Sequence, residues 1–192
     1  NLFKWTANGD AGSDWTISEV TSFTEEEILE GLLANAKYKP VESGKIYNIV
    51  NMGYGTVIYE NTNGNQVRCQ SADKSKFSQY WRIINENGKY YIQNVLSERY
   101  IKKQNGAFSQ IYSTSATKSA SANGFTLSKT DNDTEHTYAI VDQNPAGLHC
   151  DASSNVVGWY YTDNNNSIWG FQPVEVTEEE IAEARKSYVE YE

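Results

Sequence analysis

The sequence predicts an all-β domain that closes on itself, built from three repeats and flanked by two helices. Three observations carry this expectation. Trp81, Phe125 and Trp169 stand at two successive intervals of 44 residues. A similar phrase closes each interval: Ser78-Gln79-Tyr80-Trp81-Arg82-Ile83, Ala122-Asn123-Gly124-Phe125-Thr126-Leu127 and Asn166-Ser167-Ile168-Trp169-Gly170-Phe171. The phrase Thr-Glu-Glu-Glu-Ile occurs twice, at 24–28 and 177–181, each time ahead of an apolar stripe. Self-similarity at a fixed period of this size is the mark of a repeat architecture.

Taken in chain order, residues 1–20 look like the end of a preceding unit. A shift of 154 places Trp5 on Trp159, Ser13 on Ser167, Trp15 on Trp169 and Val20 on Val174. Next, Thr24-Glu25-Glu26-Glu27-Ile28 reads as a capping box, in which a Thr hydroxyl caps the helix and the third Glu reaches back. Leu29, Leu32, Leu33 and Ala36 continue it, so a helix over 25–36 and a linker over 24–39 are expected. The main domain then runs from about 41 to 176, with repeats at about 45–86, 89–130 and 136–174. Gly44-Lys45-Ile46-Tyr47 opens the first, Gly88-Lys89-Tyr90-Tyr91 the second and Glu135-His136-Thr137-Tyr138 the third.

Inside the repeats, Gln66-Val67-Arg68-Cys69 and Gln110-Ile111-Tyr112-Ser113 alternate with the period of half-buried strands. Clusters such as Asn61-Thr62-Asn63-Gly64-Asn65 and Lys103-Gln104-Asn105-Gly106 supply turns, because Asn and Gly tolerate positive φ. Helical periodicity is absent from 45 to 174. About four strands per repeat, three times over, suit a closed architecture that leaves no open sheet edge. The tail, 177–192, carries the second capping box and a stripe of Ile181, Ala184, Tyr188 and Tyr191, which predicts a helix over 178–191.

Three repeats of this length, each ending on a phrase like Gln79-Tyr80-Trp81, resemble the ricin-B β-trefoil. Gln79-Tyr80-Trp81 matches the family's Gln-x-Trp motif strictly; Asn123-Gly124-Phe125 and Ser167-Ile168-Trp169 depart from it. The resemblance covers the three repeats and implies a β-trefoil in which Trp81, Phe125 and Trp169 are core.

Charge and cysteine usage narrow the function. The net charge is −9, but the basic and acidic residues nearly balance from 40 to 176, so the acidity belongs to the two arms. Nothing resembles the basic footprint that phosphate contact demands, which argues against nucleic-acid binding. No apolar run approaches the roughly 20 residues that span a bilayer, so membrane insertion is not expected. Cys69 and Cys150 lie 81 residues apart without metal-ligand spacing, and two buried free thiols are favoured over a disulfide. No nucleophile elbow, zinc-binding helix, P-loop or dinucleotide fingerprint is present, so neither catalysis nor a metal or cofactor is expected.

The resemblance implies a sugar pocket, and it singles out the third repeat. Pockets of this family combine an acid near the second strand, an aromatic platform on the third, and an amide three residues before the closing aromatic. These fall on Asp151, Trp159 and Asn166, with Cys150 competing for the acidic position in a shortened hairpin. His149 shares a strand face with Asp151 and joins the candidate set. In the first repeat the platform and amide positions hold Cys69 and Ser78, and in the second Ser113 and Ala122, so those pockets look inactive. Each third-repeat residue also has a structural alternative: Asp151 and Asn166 as turn formers, Trp159 as packing for the tail helix. The function expected is a noncatalytic carbohydrate-binding module of a secreted or cell-surface multidomain protein, its partners a glycan or polysaccharide and neighbouring modules of the same chain. The rival is a structural spacer or protein-interaction module on the same scaffold.

Overall fold

The computed structural model describes residues 2–7, 15–20, 24, 37–61, 63, 65–130, 136–161 and 164–189, with backbone alone for 2–7 and 15–20. The chain divides into two compact units, Asn1–Ala36 and Lys37–Glu192. In the first, β1 (Leu2–Ala7) and β2 (Trp15–Val20) pair antiparallel as a hairpin, with Trp5 opposite Ile17. The helix expected over 25–36 lies outside the described residues.

Among the described residues the second unit holds twelve strands, four from each predicted repeat. The first repeat supplies β3 (Ile46–Asn51), β4 (Val57–Asn61), β5 (Gln66–Gln70) and β6 (Trp81–Glu86). The second supplies β7 (Lys89–Asn94), β8 (Tyr100–Lys102), β9 (Ser113–Ser115) and β10 (Thr126–Lys129). The third supplies β11 (Thr137–Gln143), β12 (Ala146–Cys150), β13 (Val156–Tyr160) and β14 (Ile168–Pro173). Pairings close a ring from β3 to β6, β7, β10, β11, β14 and back to β3. The remaining strands form β4–β5, β8–β9 and β12–β13 hairpins over one end. The hairpins interlock through Val67 N–H to Tyr112 O and Tyr112 N–H to Val156 O, both 2.8 Å. A ring of first and fourth strands capped by second–third hairpins is the β-trefoil arrangement.

The closing aromatics explain why the barrel forms. Trp81, Phe125 and Trp169 are fully buried at 0% exposure, in one core with Tyr47, Ile49, Ile83, Ile140 and Phe171. Each indole N–H donates to a carbonyl in its own repeat: Trp81 to Ile58 O at 3.0 Å, Trp169 to Leu148 O at 2.9 Å. Phe125 carries no such donor and needs no such acceptor. Tyr47 pairs with Trp81 and Tyr138 with Trp169, but Tyr90 rather than Tyr91 stands opposite Phe125. The opening phrase of the second repeat is thus one residue out of step with its alignment. Just ahead of it, Asn87 and Gly88 both take positive φ, making the tight two-residue turn that joins Glu86 to Lys89.

The closing phrases are not purely extended. Turns of 3₁₀ helix at Phe77–Gln79 and Asn165–Ser167, and a one-turn helix α1 (Ala120–Asn123), precede the three aromatics. They are too short to leave a helical period in the sequence. Each buries a polar side chain that ties it down. Gln79 bonds Ser71 O and Asp73 N–H, Asn123 bonds Ile101 O and Ser119 N–H, and Ser167 bonds Tyr160 O.

The tail forms helix α2 (Glu178–Val189), and the capping box is present: Glu180 N–H donates to Thr177 Oγ1 at 3.2 Å, while Thr177 N–H donates to the Glu180 carboxylate at 2.8 Å. Ile181 seals the helix onto Ile46, Tyr80 and Val95, and Arg185 donates to Val95 O and pairs with Glu98. At the other end, the ring of Tyr38 lies on Gly170 where any Cβ would collide with it, and Lys39 N–H reaches Phe171 O at 3.0 Å. Tyr38 and Lys39 thus pack against the second unit's strands. Cys69 and Cys150 are both free and buried within the same core.

Candidate functional site

The outer face of the β12–β13 hairpin carries an exposed aromatic group. Register opposes Gly147 to Trp159 and His149 to Val157, so Trp159 and His149 are diagonal neighbours on one face. Gly147 contributes no side chain, and the indole remains 39% exposed. The His149 and Trp159 ring centroids lie 6.1 Å apart. Trp159 packs neither under α2 nor into the core, so its alternative as packing for the tail helix does not hold. Leu148, Cys150 and Val156 take the inward positions instead.

His149 is held in one tautomer by its partner. Ser167 Oγ donates its single hydrogen to Tyr160 O at 2.8 Å, so it accepts from His149 Nδ1 at 2.9 Å. The Nδ1 proton leaves Nε2 as a free acceptor. Burial pushes the imidazole below its ordinary value, against the opposing pull of the Asp151 charge, so the ring is neutral near pH 7. Ser167 stands where the family motif has Gln, and the shorter side chain leaves room for this contact.

Asp151 lies in the turn at the tip of the hairpin. Its Oδ1 accepts from Ser153 N–H at 2.9 Å and Asn155 N–H at 2.8 Å, and its Oδ2 from Asn155 Nδ2 at 3.1 Å. The carboxylate thus shapes the tight turn through three accepted hydrogen bonds. Asn166 sits in the 3₁₀ turn on the other flank, where Asn51 Nδ2 bonds its backbone carbonyl at 2.8 Å. Its carboxamide lies over Gly53, close enough that a Cβ there would overlap Oδ1, and it has no hydrogen-bond partner among the described residues. Direct contact therefore joins Trp159 to His149; Asp151 reaches this pair through its charge, and Asn166 contacts the β3–β4 turn.

Two residues of this surface were not singled out from the sequence. Phe108, 38% exposed, meets Trp159 edge-on at 5.9 Å, and Tyr160, 46% exposed, lies 4.7 Å from Phe108. Tyr160 had a signal, since it directly follows the platform residue. Phe108 had a fainter one: a large aromatic alone in the polar loop Gly106-Ala107-Phe108-Ser109-Gln110. Among the described residues no cluster of three His, Cys, Asp or Glu side chains is placed to hold a metal ion. No described helix is long and apolar enough to cross a membrane.

No family model matches the chain, and no curated protein matches its sequence. Solved structures do match its fold. The Macrolepiota procera ricin B-like lectin in complex with lactose superposes with a TM-score of 0.61 at 15% identity, over 70% of this chain and 99% of that one. The Rhizoctonia solani agglutinin gives 0.57 at 19% identity, over 70% and 99%. A GlcNAcα1-4Gal-releasing endo-β-galactosidase from Clostridium perfringens gives 0.58 at 16% identity over 68% of this chain, which spans 33% of that enzyme. At such identities the likeness is one of fold.

Proposed function

We propose that this chain, whose fold is the β-trefoil of the ricin B-like lectins, is a noncatalytic carbohydrate-binding module of a larger secreted or cell-surface protein. The observation that carries the reading is the exposed Trp159 indole beside the free Nε2 of a neutral His149. An apolar ring face with an adjacent hydrogen-bond acceptor suits the C–H face and hydroxyls of a sugar in a shallow wet site. Asp151 and Asn166 complete the proposed set, the first through its charge beside His149 and the second through its unbonded carboxamide. Glycan or polysaccharide is the partner, and no nucleic acid is.

The module reading extends to organisation. We read the domain as three copies of one four-stranded unit, supported by the matched burial of Trp81, Phe125 and Trp169. Residues 1–20 are read as a remnant of a preceding unit, with 24–39 and 177–192 as connectors to neighbouring modules. A single shallow site of this kind binds weakly, and repeated modules on one chain raise the avidity.

The spacer reading has one observation in its favour: the Asp151 carboxylate and the Asn166 backbone both serve their own turns. A glycan array of the chain, followed by calorimetry on Trp159→Ala, separates the two. The expected result is loss of glycan binding with a stability change well below the roughly 3–5 kcal/mol that truncating a buried Trp costs. No glycan bound by the parent decides for the spacer, and unchanged binding in the variant takes Trp159 out of the site.

A further inference from the structure

The loop that carries Phe108 belongs to the second repeat but is fastened to the third. At its start, Gln104 N–H donates to the buried Asp142 carboxylate of β11 at 2.7 Å. At its end, Ser109 N–H donates to Gly158 O at 2.9 Å and Gly158 N–H to Gln110 O at 3.2 Å, so the loop runs along the free edge of β13. Gly158 permits this approach, because a Cβ there would stand 2.0 Å from Ala107 O. The Gln104 side chain braces the loop across its own span through Gln110 O at 2.9 Å. Asn105, Gly106 and Ser109 all take left-handed backbone, and for Ser109 that is an unfavourable choice held in place by its neighbours.

The product of this bracing is an aromatic ring kept half in solvent at the edge of the third-repeat hairpin. Its geometry is specific. Phe108 and Tyr160 lie within 38° of parallel, and each stands nearly perpendicular to the indole, at 86° and 82°. The rings therefore form two apolar surfaces inclined at about a right angle, one the indole and the other Phe108 with Tyr160, and His149 lies 6.1 Å from the indole. One pyranose presents one C–H face and can cover one of these surfaces. Two linked sugars bend at the glycosidic oxygen and can cover both.

Resting on the carbohydrate reading above, we infer that Phe108, supplied by the second repeat, is a specificity-determining residue that makes this a site for at least two linked sugar rings. The first ring stacks on Trp159 within reach of His149. The second lies against Phe108 and Tyr160.

The test uses the full chain and six probes: galactose, glucose and N-acetylglucosamine, each against its β1-4-linked disaccharide lactose, cellobiose or chitobiose. Calorimetry of the parent should show at least one disaccharide binding about tenfold more tightly than its monosaccharide, the gain expected of one further aromatic contact. Phe108→Ala should erase that advantage, bringing disaccharide affinity down to that of the monosaccharide. Phe108→Leu, which keeps the apolar volume without the π face, guards against a loop that collapses and should give most of the same loss. An advantage that survives both substitutions, or a parent that binds monosaccharide and disaccharide equally, overturns the inference while leaving a sugar site centred on Trp159. Failure of the parent to bind any of the six sugars sinks the carbohydrate reading and this inference with it, and binding indifferent to Trp159→Ala overturns the inference by placing the sugar elsewhere on the chain.

Discussion

Single side chains set both the core and the site. Trp81 and Trp169 combine full burial with a satisfied indole N–H, so each adds apolar area without stranding a donor. At the equivalent position of the motif's first residue, Gln79 and Asn123 reach backbone partners on both sides, whereas Ser167 is too short to do so and engages His149. That exchange links stability to pH. Burial holds the His149 imidazole below its ordinary value, so the unfolded chain takes up this proton more readily than the folded one. The contribution of neutral His149 is complete above about pH 6.5, the unfolded value, and is lost as pH falls towards the lower folded value. Urea denaturation at about pH 7.5 and about pH 5.5 should show reduced stability at the lower pH, with a smaller difference in His149→Gln. An identical difference in the variant would assign the loss to other groups.

The elements differ in how much of them is written locally. Helix α2 was legible over its described residues, because its cap, its acidic first turn and Ile181 are all local signals. Thr177→Ala should cost about 1 kcal/mol, read as a lower unfolding midpoint at constant denaturant slope. A neutral result would mean that Ile181 and Arg185 alone hold the helix in place. The Asn87-Gly88 turn was equally local, whereas the one-residue offset of the second repeat that follows it was not revealed by spacing alone. The second repeat also shows where strand periodicity misleads. Residues 110–112 alternate as a strand, but the strand itself is Ser113–Ser115, and Ile111 instead bridges to Val157. Their backbone groups are taken by β13, the same attachment that presents Phe108.

At the scale of the molecule, closure depends on links between repeats. Buried Glu60 accepts from Ser97 and Thr114 and pairs with Arg99 at 3.5 Å, joining the first repeat to the second. Asp142 accepts from Gln104 N–H and Tyr112 Oη, at 2.7 and 3.1 Å, joining the second to the third. Burial, with the Asp142 charge adding to it, keeps the Tyr112 phenol protonated far above its ordinary value. Cys69 and Cys150 join the first repeat to the third: contact with the Cys150 sulfur, and burial, hold the Cys69 thiol protonated well above the usual range. Because both thiols sit inside the shared core, their reactivity should follow opening of the whole barrel. Ellman's reagent should titrate two thiols in guanidinium chloride and essentially none in the native chain. No reactive thiol in denaturant would mean the pair is oxidised, and fast native labelling would mean the core opens locally.

The sequence by itself determined the closed β domain, its closing aromatics and the tail helix, and it pointed to the third repeat as the place for the candidate site. Each of these depends on a pattern or spacing along the chain: a 44-residue spacing, a strand or helix period, a cap. Tertiary structure decided that Trp159 faces solvent, that Asp151 spends its carboxylate on a turn, and that Phe108 stands against Trp159 across 51 positions of chain. Those outcomes follow from which distant backbones pair and which glycines let them approach, as Gly158 does for Ala107. A side chain's neighbours across such a pairing leave no mark on the pattern of its own segment.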